Sequence, residues 1–124
     1  MIDHYNICKP EPIQLIHKYK LNFVEGNIVK YILRSPFKGE RIKDLQKAIY
    51  YALMLEPIGY LRTFHFSDLL EYQEYLLEEE LRAVEKVIQC DMWGKIGDKH
   101  CNQIVRLIEQ ALIKRKEKVE SNAG

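Results

Sequence analysis

The chain has 124 residues and a net charge of +1, and 47% of its residues are hydrophobic and 30% charged. This length supplies one core rather than two, and the composition excludes a disordered chain apart from the tail. No apolar run approaches a membrane span and the first residues show no signal-peptide pattern, so we expect no membrane contact. The three cysteines, Cys8, Cys90 and Cys101, form no CxxC pair, and we interpret them as reduced thiols of a cytoplasmic protein.

The charges are divided unevenly between the two halves of the chain. Residues 1–62 hold ten Lys or Arg and six Asp or Glu, a charge of +4, whereas residues 63–124 hold nine and twelve, a charge of −3. A mildly basic first half suits an anionic small molecule. It is too weak for a general duplex-binding surface, which needs a concentrated basic field, so we predict no duplex nucleic acid as partner.

Three helices are predicted in the first half. Proline fits the first turn of a helix, which predicts a short helix over residues 12–20. Asn22 is a favoured N-cap for a second helix over Phe23–Arg34, and this helix stops because the residue before Pro36 is pushed out of helical geometry. After a tight loop, a third helix is predicted over Arg41–Leu55.

The second half contributes two further predicted helices. The stretch Tyr60–Phe66 is the most strand-like of the chain, or else an extended connector. A long helix is predicted from Ser67 to about Cys90, and its apolar residues cover an arc wide enough to favour self-association into a homo-oligomer. A loop marked by Trp93 and two glycines follows, and the last helix is predicted to begin at Asp98.

These elements predict an all-α fold, a compact bundle of about five helices with little or no sheet. We expect residues 1–57 to form a first helical unit and residues 58–120 to form a helical hairpin that packs on it, as one structural domain. Residues 121–124 are expected to form a tail.

The second predicted helix combines a broad apolar arc with a narrow polar stripe. Asn27, Lys30 and Arg34 recur at spacings of three and four residues and therefore share one face. Since a helix this apolar is mostly buried, its two cations need an anion. Two interpretations remain open: an internal carboxylate such as Glu25 or Asp44, or the phosphate of a ligand.

The third predicted helix and the loop before it carry a matching set of polar residues. Asp44, Lys47 and Tyr51 share a stripe, and Lys38 lies in the loop beside Gly39. If the two helices form an antiparallel hairpin, their cations and rings converge: Lys30, Arg34, Lys38, Lys47, Tyr31 and Tyr51. Arg clamps a phosphate with two parallel bonds, Lys adds a point charge, and a tyrosine ring can stack on a base.

Several short motifs follow one another in this region: His4-Tyr5, Glu11, Gly26-Asn27-Ile28-Val29-Lys30-Tyr31-Ile32-Leu33-Arg34, Lys38-Gly39 and Asp44-Leu45-Gln46-Lys47-Ala48. With these motifs, residues 3–55 resemble a small phage domain family known as nucleotide kinase-like, or as a SaV-like domain of unassigned function. Its pattern is Gly-Asn-x-x-Lys-Tyr-x-x-Arg, Lys-Gly, Asp-Leu-x-Lys-Ala. The resemblance implies a phage or prophage protein, in the cytoplasm of its host cell, that handles nucleotides.

The resemblance further implies a nucleoside or deoxynucleoside monophosphate kinase without a phosphate loop, and the chain indeed has no GxxxxGK[ST] motif. In such a kinase, catalysis is mostly positioning and charge stabilisation. The predicted catalytic residues are Lys30, Arg34 and Asp44. The predicted nucleotide-binding residues are His4, Tyr5, Glu11, Asn27, Tyr31, Lys38, Lys47 and Tyr51. A nucleotide phosphate donor is the one cofactor implied, and no visible motif requires magnesium or forms another metal site.

A non-enzymatic function stays open beside the kinase. The chain would then be a phage counter-defence protein that sequesters a nucleotide signal, or that blocks a host defence nuclease through its acidic second half. The acidic residues between Glu71 and Glu85 would have to form a flat face for the second role. Without a partner ExxD motif, we interpret this acidic run as a solvated helix face rather than a magnesium site.

Overall fold

The computed structural model describes residues 8–56, 62–89 and 94–123. Its elements are five α-helices and one 3₁₀ helix: α1 (Pro12–Lys18), α2 (Phe23–Arg34), α3 (Arg41–Ala52), the 3₁₀ helix (Phe66–Tyr72), α4 (Glu78–Gln89) and α5 (Gly94–Ala123). The described ranges contain no strand, so the predicted all-α class is confirmed.

Helix α1 ends at Lys18, two residues before the predicted end at Lys20. The reason is a left-handed residue, because Lys20 has a φ of 53°. The amide of Leu21 then donates to the carbonyl of Ile16 at 3.0 Å, and the amide of Lys20 donates to the carbonyl of His17 at 3.3 Å. This pair of bonds is a Schellman motif, which satisfies the last carbonyls of the helix and turns the chain toward α2.

Helix α2 has the predicted bounds, Phe23–Arg34, and the predicted cap. The Asn22 side chain accepts a 2.8 Å hydrogen bond from the amide of Glu25, and the Glu25 carboxylate accepts one of 3.0 Å from the amide of Asn22. This reciprocal capping box fixes the first turn. Helix α3 begins at Arg41 as predicted but ends at Ala52, and the predicted continuation to Leu55 is wrong because a turn starts at Leu53.

The predicted long helix from Ser67 to Cys90 is wrong. The chain forms the 3₁₀ helix, then a turn, and α4 starts only at Glu78. The carboxylate of Glu80 accepts a 2.6 Å hydrogen bond from the amide of Leu77, which caps α4. Acidic side chains in a first turn complement the positive end of the helix dipole, so the run Glu78-Glu79-Glu80 marks a helix start.

Other boundaries in the second half also differ from expectation. Helix α5 begins at Gly94, so the predicted start at Asp98 and the predicted loop at its glycines are wrong. Residues 62–65 have no regular structure, and the first part of the strand-like stretch, like Trp93, lies outside the described residues. Among the described helices, including the 30-residue α5, none combines the length and the apolar character needed to cross a membrane.

Within the described ranges, one hydrophobic cluster draws residues from every α-helix and from the 3₁₀ segment. Its fully buried members include Leu15, Ile28, Ile32, Leu33, Leu45, Leu69, Ile88, Ile104 and Ile108. The described residues of both predicted units therefore share this core. Leu69, Tyr72 and Leu76, three of the apolar residues in the stretch expected to form the long helix, are buried within the chain itself. These side chains are therefore not available for self-association.

Candidate functional site

Helices α2 and α3 pack against each other and are joined by the loop of residues 35–40. This arrangement stacks the ring of Tyr31 on the ring of Tyr51, with centroids 6.0 Å apart and planes inclined by 12°. The glycine in the loop, Gly39, has a φ of 74°, a left-handed conformation that glycine adopts without strain. The two polar stripes predicted from the sequence therefore meet at a pair of tyrosine rings.

Three cations surround the ring of Tyr31. The Nζ atom of Lys30 lies 5.0 Å from the ring centroid, the Cζ atom of Arg34 lies 5.1 Å from it, and the Nζ atom of Lys47 lies 5.3 Å from it. Each distance is within the range of a cation–π contact. We use the name Tyr31 cluster for the residues gathered here: Lys30, Tyr31, Arg34, Asp44, Lys47 and Tyr51.

One cation of the Tyr31 cluster is held by a carboxylate. The Nε atom of Arg34 lies 3.4 Å from Oδ2 of Asp44, and Asp44 is fully buried. The other carboxylate oxygen of Asp44, Oδ1, is buried and accepts no hydrogen bond. The internal pairing that the sequence left open is thus present for Arg34, and Asp44 can act on a ligand only through Arg34.

The other carboxylate considered from the sequence, Glu25, has a different partner. Both terminal nitrogens of Arg62 donate to it at 2.8 Å, and Glu25 is fully buried. In the part of the chain that the structure describes, no carboxylate lies within 4 Å of the ammonium group of Lys30 or of Lys47. Three cations and one carboxylate leave the Tyr31 cluster with a formal charge of +2.

The tyrosine pair continues into exposed aromatic side chains. The Tyr51 ring meets Phe23 edge-on at a centroid distance of 6.0 Å and Tyr50 edge-on at 5.3 Å. Phe23 is 75% exposed and Tyr50 is 62% exposed. Aromatic rings are usually buried, so two exposed rings beside an uncompensated positive charge form a surface suited to a ligand that is both flat and anionic.

The remaining predicted site residues are not members of the Tyr31 cluster. The side-chain nitrogen Nδ2 of Asn27 donates to the Phe23 carbonyl at 2.8 Å within α2, and Lys38 is exposed in the loop before α3. Glu11 caps α1, where its amide donates to Gln14 at 2.7 Å and its carboxylate pairs with Lys9. The predicted residues His4 and Tyr5 lie outside the described residues.

Sequence reasoning missed a buried ionic network between α3, α4 and α5. Glu80 is fully buried and accepts a 2.9 Å hydrogen bond from Arg115, while a nitrogen of Arg41 lies 3.7 Å from the same oxygen. Both guanidinium groups also donate to the carbonyl of Tyr75. Burial lowers the pKa of Arg41, and the attraction of Glu80 opposes this change. Glu80 is therefore a structural anchor and not part of a solvated face.

In the described ranges, no three His, Cys, Asp or Glu side chains lie close enough together to hold a metal ion.

Comparison with known proteins bears on the first half only. The model of a family described as a protein of unknown function (DUF3310) matches residues 2–53. This range contains α1, α2, α3 and every residue of the Tyr31 cluster, whereas α4 and α5 lie outside it. No curated protein and no solved structure matches the chain. The family description states no activity.

Proposed function

We propose that the chain binds a nucleotide on the surface formed by α2 and α3. The observation that carries the proposal is the arrangement of Lys30, Arg34 and Lys47 around the Tyr31 ring, with only Arg34 held by a carboxylate of the described residues. Three cations drawn to one place repel one another, and a phosphate group would relieve this repulsion.

The phosphate end of the ligand would lie against Lys30 and Lys47. Both ammonium groups carry three donors on a flexible stem, which lets them follow a phosphate as point charges. Arg34 differs from them because its Nε atom is engaged by Asp44, which limits how far the guanidinium can turn. Arg34 would therefore supply a fixed hydrogen-bond direction, and the two lysines would supply adjustable charge.

The flat end of the ligand would lie against the exposed rings. Tyr31 and Tyr51 already stack on each other, so the free ring surface in this region belongs to Phe23 and Tyr50. Stacking of a base on an aromatic ring contributes about 1–3 kcal/mol. A nucleotide joins a base and a phosphate in one molecule, which is why it fits this surface better than inorganic phosphate or a nucleoside does.

Phosphoryl transfer is the first activity that we propose for this site, in agreement with the kinase-like family that the sequence resembles. The cluster offers cations to hold transferred phosphate but no exposed carboxylate, because Asp44 is fully buried. A hydroxyl acceptor would need a base to take its proton. A nucleoside monophosphate needs none, since its phosphate oxygen is already anionic and attacks the γ-phosphorus as the bond to the leaving diphosphate breaks. The acceptor we propose is therefore a nucleoside or deoxynucleoside monophosphate.

Sequestration of a nucleotide signal is the second candidate. The observation that supports it is that the lysines around Tyr31 and the exposed rings of Phe23 and Tyr50 would hold a nucleotide whether or not phosphate is transferred. The alternative by which the acidic second half blocks a nuclease has less support. Glu80 is buried and Glu79 pairs with Lys114, so the acidic run does not form one flat face.

Calorimetric titration of the full chain with nucleoside mono-, di- and triphosphates and cyclic nucleotides tests the binding proposal. We expect the double variant Lys30→Gln/Lys47→Gln to weaken binding at least about tenfold, since hydrogen bonds to charged groups contribute about 1.5–3 kcal/mol each. The matched control is Lys116→Gln/Lys118→Gln, which removes the same charge from exposed positions of α5. Equal losses in both variants, or no binding by the unaltered chain, would refute a specific site.

A transfer assay separates the two candidate activities. The chain is incubated with a labelled nucleoside triphosphate and either a nucleoside monophosphate or a nucleoside as acceptor. Label on the monophosphate alone supports the kinase, and binding without any transfer supports sequestration. Transfer to the nucleoside hydroxyl would contradict the acceptor that the cluster geometry favours.

A further inference from the structure

We propose a second anion site in the groove between α4 and α5, for a short oligophosphate. The groove has a volume of about 360 Å³ and is lined by Arg82, Lys86, Gln103, Arg106, Leu107 and Gln110. It lies in the part of the chain that the family model does not cover, and it is independent of the nucleotide surface on α2 and α3.

Among the described residues, the lining of this groove contains three cations and no carboxylate. Arg82 and Lys86 are four residues apart on α4 and share a face, while Gln103, Arg106 and Gln110 share a face of α5. The ammonium group of Lys86 donates to Gln103 at 3.2 Å, which links the two walls. Buried Leu107 completes the apolar part of the lining.

The two arginines of the groove have no close carboxylate partner in the described part of the chain, although Glu79 attracts Arg82 from a longer distance. Among the residues that the structure describes, no carboxylate lies within 4 Å of Arg82 or of Arg106. The buried arginine of the same helix pair, Arg115, is by contrast bonded to Glu80 at 2.9 Å. The chain thus pairs its interior arginine and leaves two guanidinium forks facing a cavity, the geometry that suits bidentate binding of phosphate oxygens.

The neighbouring surface limits the length of the anion. A second groove of about 500 Å³ shares Arg82 and Gln110 with the first, and its lining includes Glu78, Glu79 and Glu117. These carboxylates would repel a polyanion that extended past Arg82. A nucleic acid strand is therefore disfavoured, whereas two or three linked phosphates match both the volume and the three cations, either as inorganic triphosphate or as the phosphate chain of a nucleotide.

Titration of the full chain with sodium triphosphate, followed by calorimetry and by amide chemical shifts, tests this site. We expect amides of α4 and α5 around the groove to shift, and the double variant Arg82→Gln/Arg106→Gln to weaken binding at least about tenfold. Both side chains are exposed, so the variant should keep the helical spectrum and unfolding midpoint of the unaltered chain. The control Lys116→Gln/Lys118→Gln, with the same change in charge, should bind within about twofold of the unaltered chain.

Further arms distinguish this site from the Tyr31 cluster and identify the source of the phosphate. Lys30→Gln/Lys47→Gln should leave triphosphate binding in the groove intact, so the two proposals can fail separately. Triphosphate binding that is lost in this variant but kept in Arg82→Gln/Arg106→Gln would overturn the groove site, as would equal loss in the control or no binding at millimolar triphosphate. Groove-dependent binding of adenosine triphosphate that is tighter than that of triphosphate would assign the nucleotide as source, and equal affinity would assign the phosphate chain alone.

Discussion

Arg62 donates two parallel hydrogen bonds of 2.8 Å to the carboxylate of Glu25, and this pair joins the start of α2 to the segment that precedes the 3₁₀ helix. Glu25 is the carboxylate on α2, the helix that also carries Lys30 and Arg34. Because Arg62, a cation from outside α2 and α3, occupies it, Glu25 does not neutralise the cations of its own helix. The Arg62–Glu25 pair is thus one reason why the Tyr31 cluster keeps its positive charge.

Loss of Arg62 should destabilise the chain strongly. Arg62→Met leaves the buried Glu25 carboxylate without its guanidinium, a change that costs about 3–5 kcal/mol for buried pairs. Urea unfolding followed by circular dichroism measures this cost. Arg82→Met, at an exposed position of α4, is the control and should change the free energy of unfolding by less than about 0.5 kcal/mol. Similar small losses in both variants would show that the pair does not stabilise the fold.

The network around Glu80 should behave as a coupled unit. Glu80→Met alone leaves Arg115 buried without its carboxylate, which is expected to cost about 3–5 kcal/mol. Adding Arg115→Met removes the unpaired charge, so the double variant should be more stable than Glu80→Met. A double-mutant cycle by urea unfolding measures the coupling. If the two losses simply add, Glu80 and Arg115 act independently and the proposed anchor is wrong.

Helix positions in the first half could be predicted because local signals fix them. Asn22 and Glu25 form a capping box within three residues. The helix does end before Pro36, but Ser35 keeps helical backbone angles (φ −52°, ψ −36°), so the predicted reason for that end, a residue pushed out of helical geometry by the proline, is wrong. Between Ser67 and Gln89, the sequence offers no comparably clear signal for where a helix begins. The run Glu78-Glu79-Glu80 reads equally well as a helix face or as a first turn, and the choice depends on Arg115, 35 residues away. That long-range contact buries Glu80, and no periodicity in the sequence reveals it.

The sequence predicted which residues of the candidate site come together. Spacings of three and four residues placed Lys30 beside Arg34 and Lys47 beside Tyr51, and the short loop brought the two stripes together. The partner of each charge was not predictable, because spacing alone does not say which carboxylate faces which cation. Arg34 pairs with Asp44, and Glu25 pairs with a residue outside the hairpin.

The contact between Asp68 and α1 should make stability depend on acidity. Burial acts to raise the pKa of Asp68, but hydrogen bonds from Lys18 and Tyr19 outweigh it and hold this pKa below its ordinary value of 3.8. A depressed carboxyl pKa contributes stability above the unfolded value and loses it as the pH falls through the folded value. The difference in free energy of unfolding between the unaltered chain and Asp68→Asn should therefore be largest at neutral pH and decrease below pH 3.8. Thermal unfolding across this range checks it, and a difference that does not change with pH would contradict the assignment.

The loop between α2 and α3 should tolerate few residues at Gly39. An added Cβ meets nothing within 4 Å, so the cost of Gly39→Ala comes from the φ of 74° alone. That conformation costs roughly 1–2 kcal/mol for an ordinary residue, and less for asparagine. In urea unfolding, the free energy of unfolding should be highest for the unaltered chain, lower for Gly39→Asn and lowest for Gly39→Ala. Equal stability of the two variants would mean that the loop changes conformation to accept them.

Stability and ligand binding should separate within the Tyr31 cluster. Asp44→Asn leaves Arg34 without its buried carboxylate, so we expect it to lower both the free energy of unfolding, by about 3 kcal/mol or more, and the affinity for nucleotides. Lys47→Gln removes a cation that no carboxylate of the described residues holds, so its effect on unfolding should stay below about 1 kcal/mol while nucleotide affinity falls. Urea unfolding and calorimetric titration on the same preparations test both expectations. A large loss of stability in Lys47→Gln would mean that this lysine has a structural role. That result would contradict the proposed ligand site on α2 and α3.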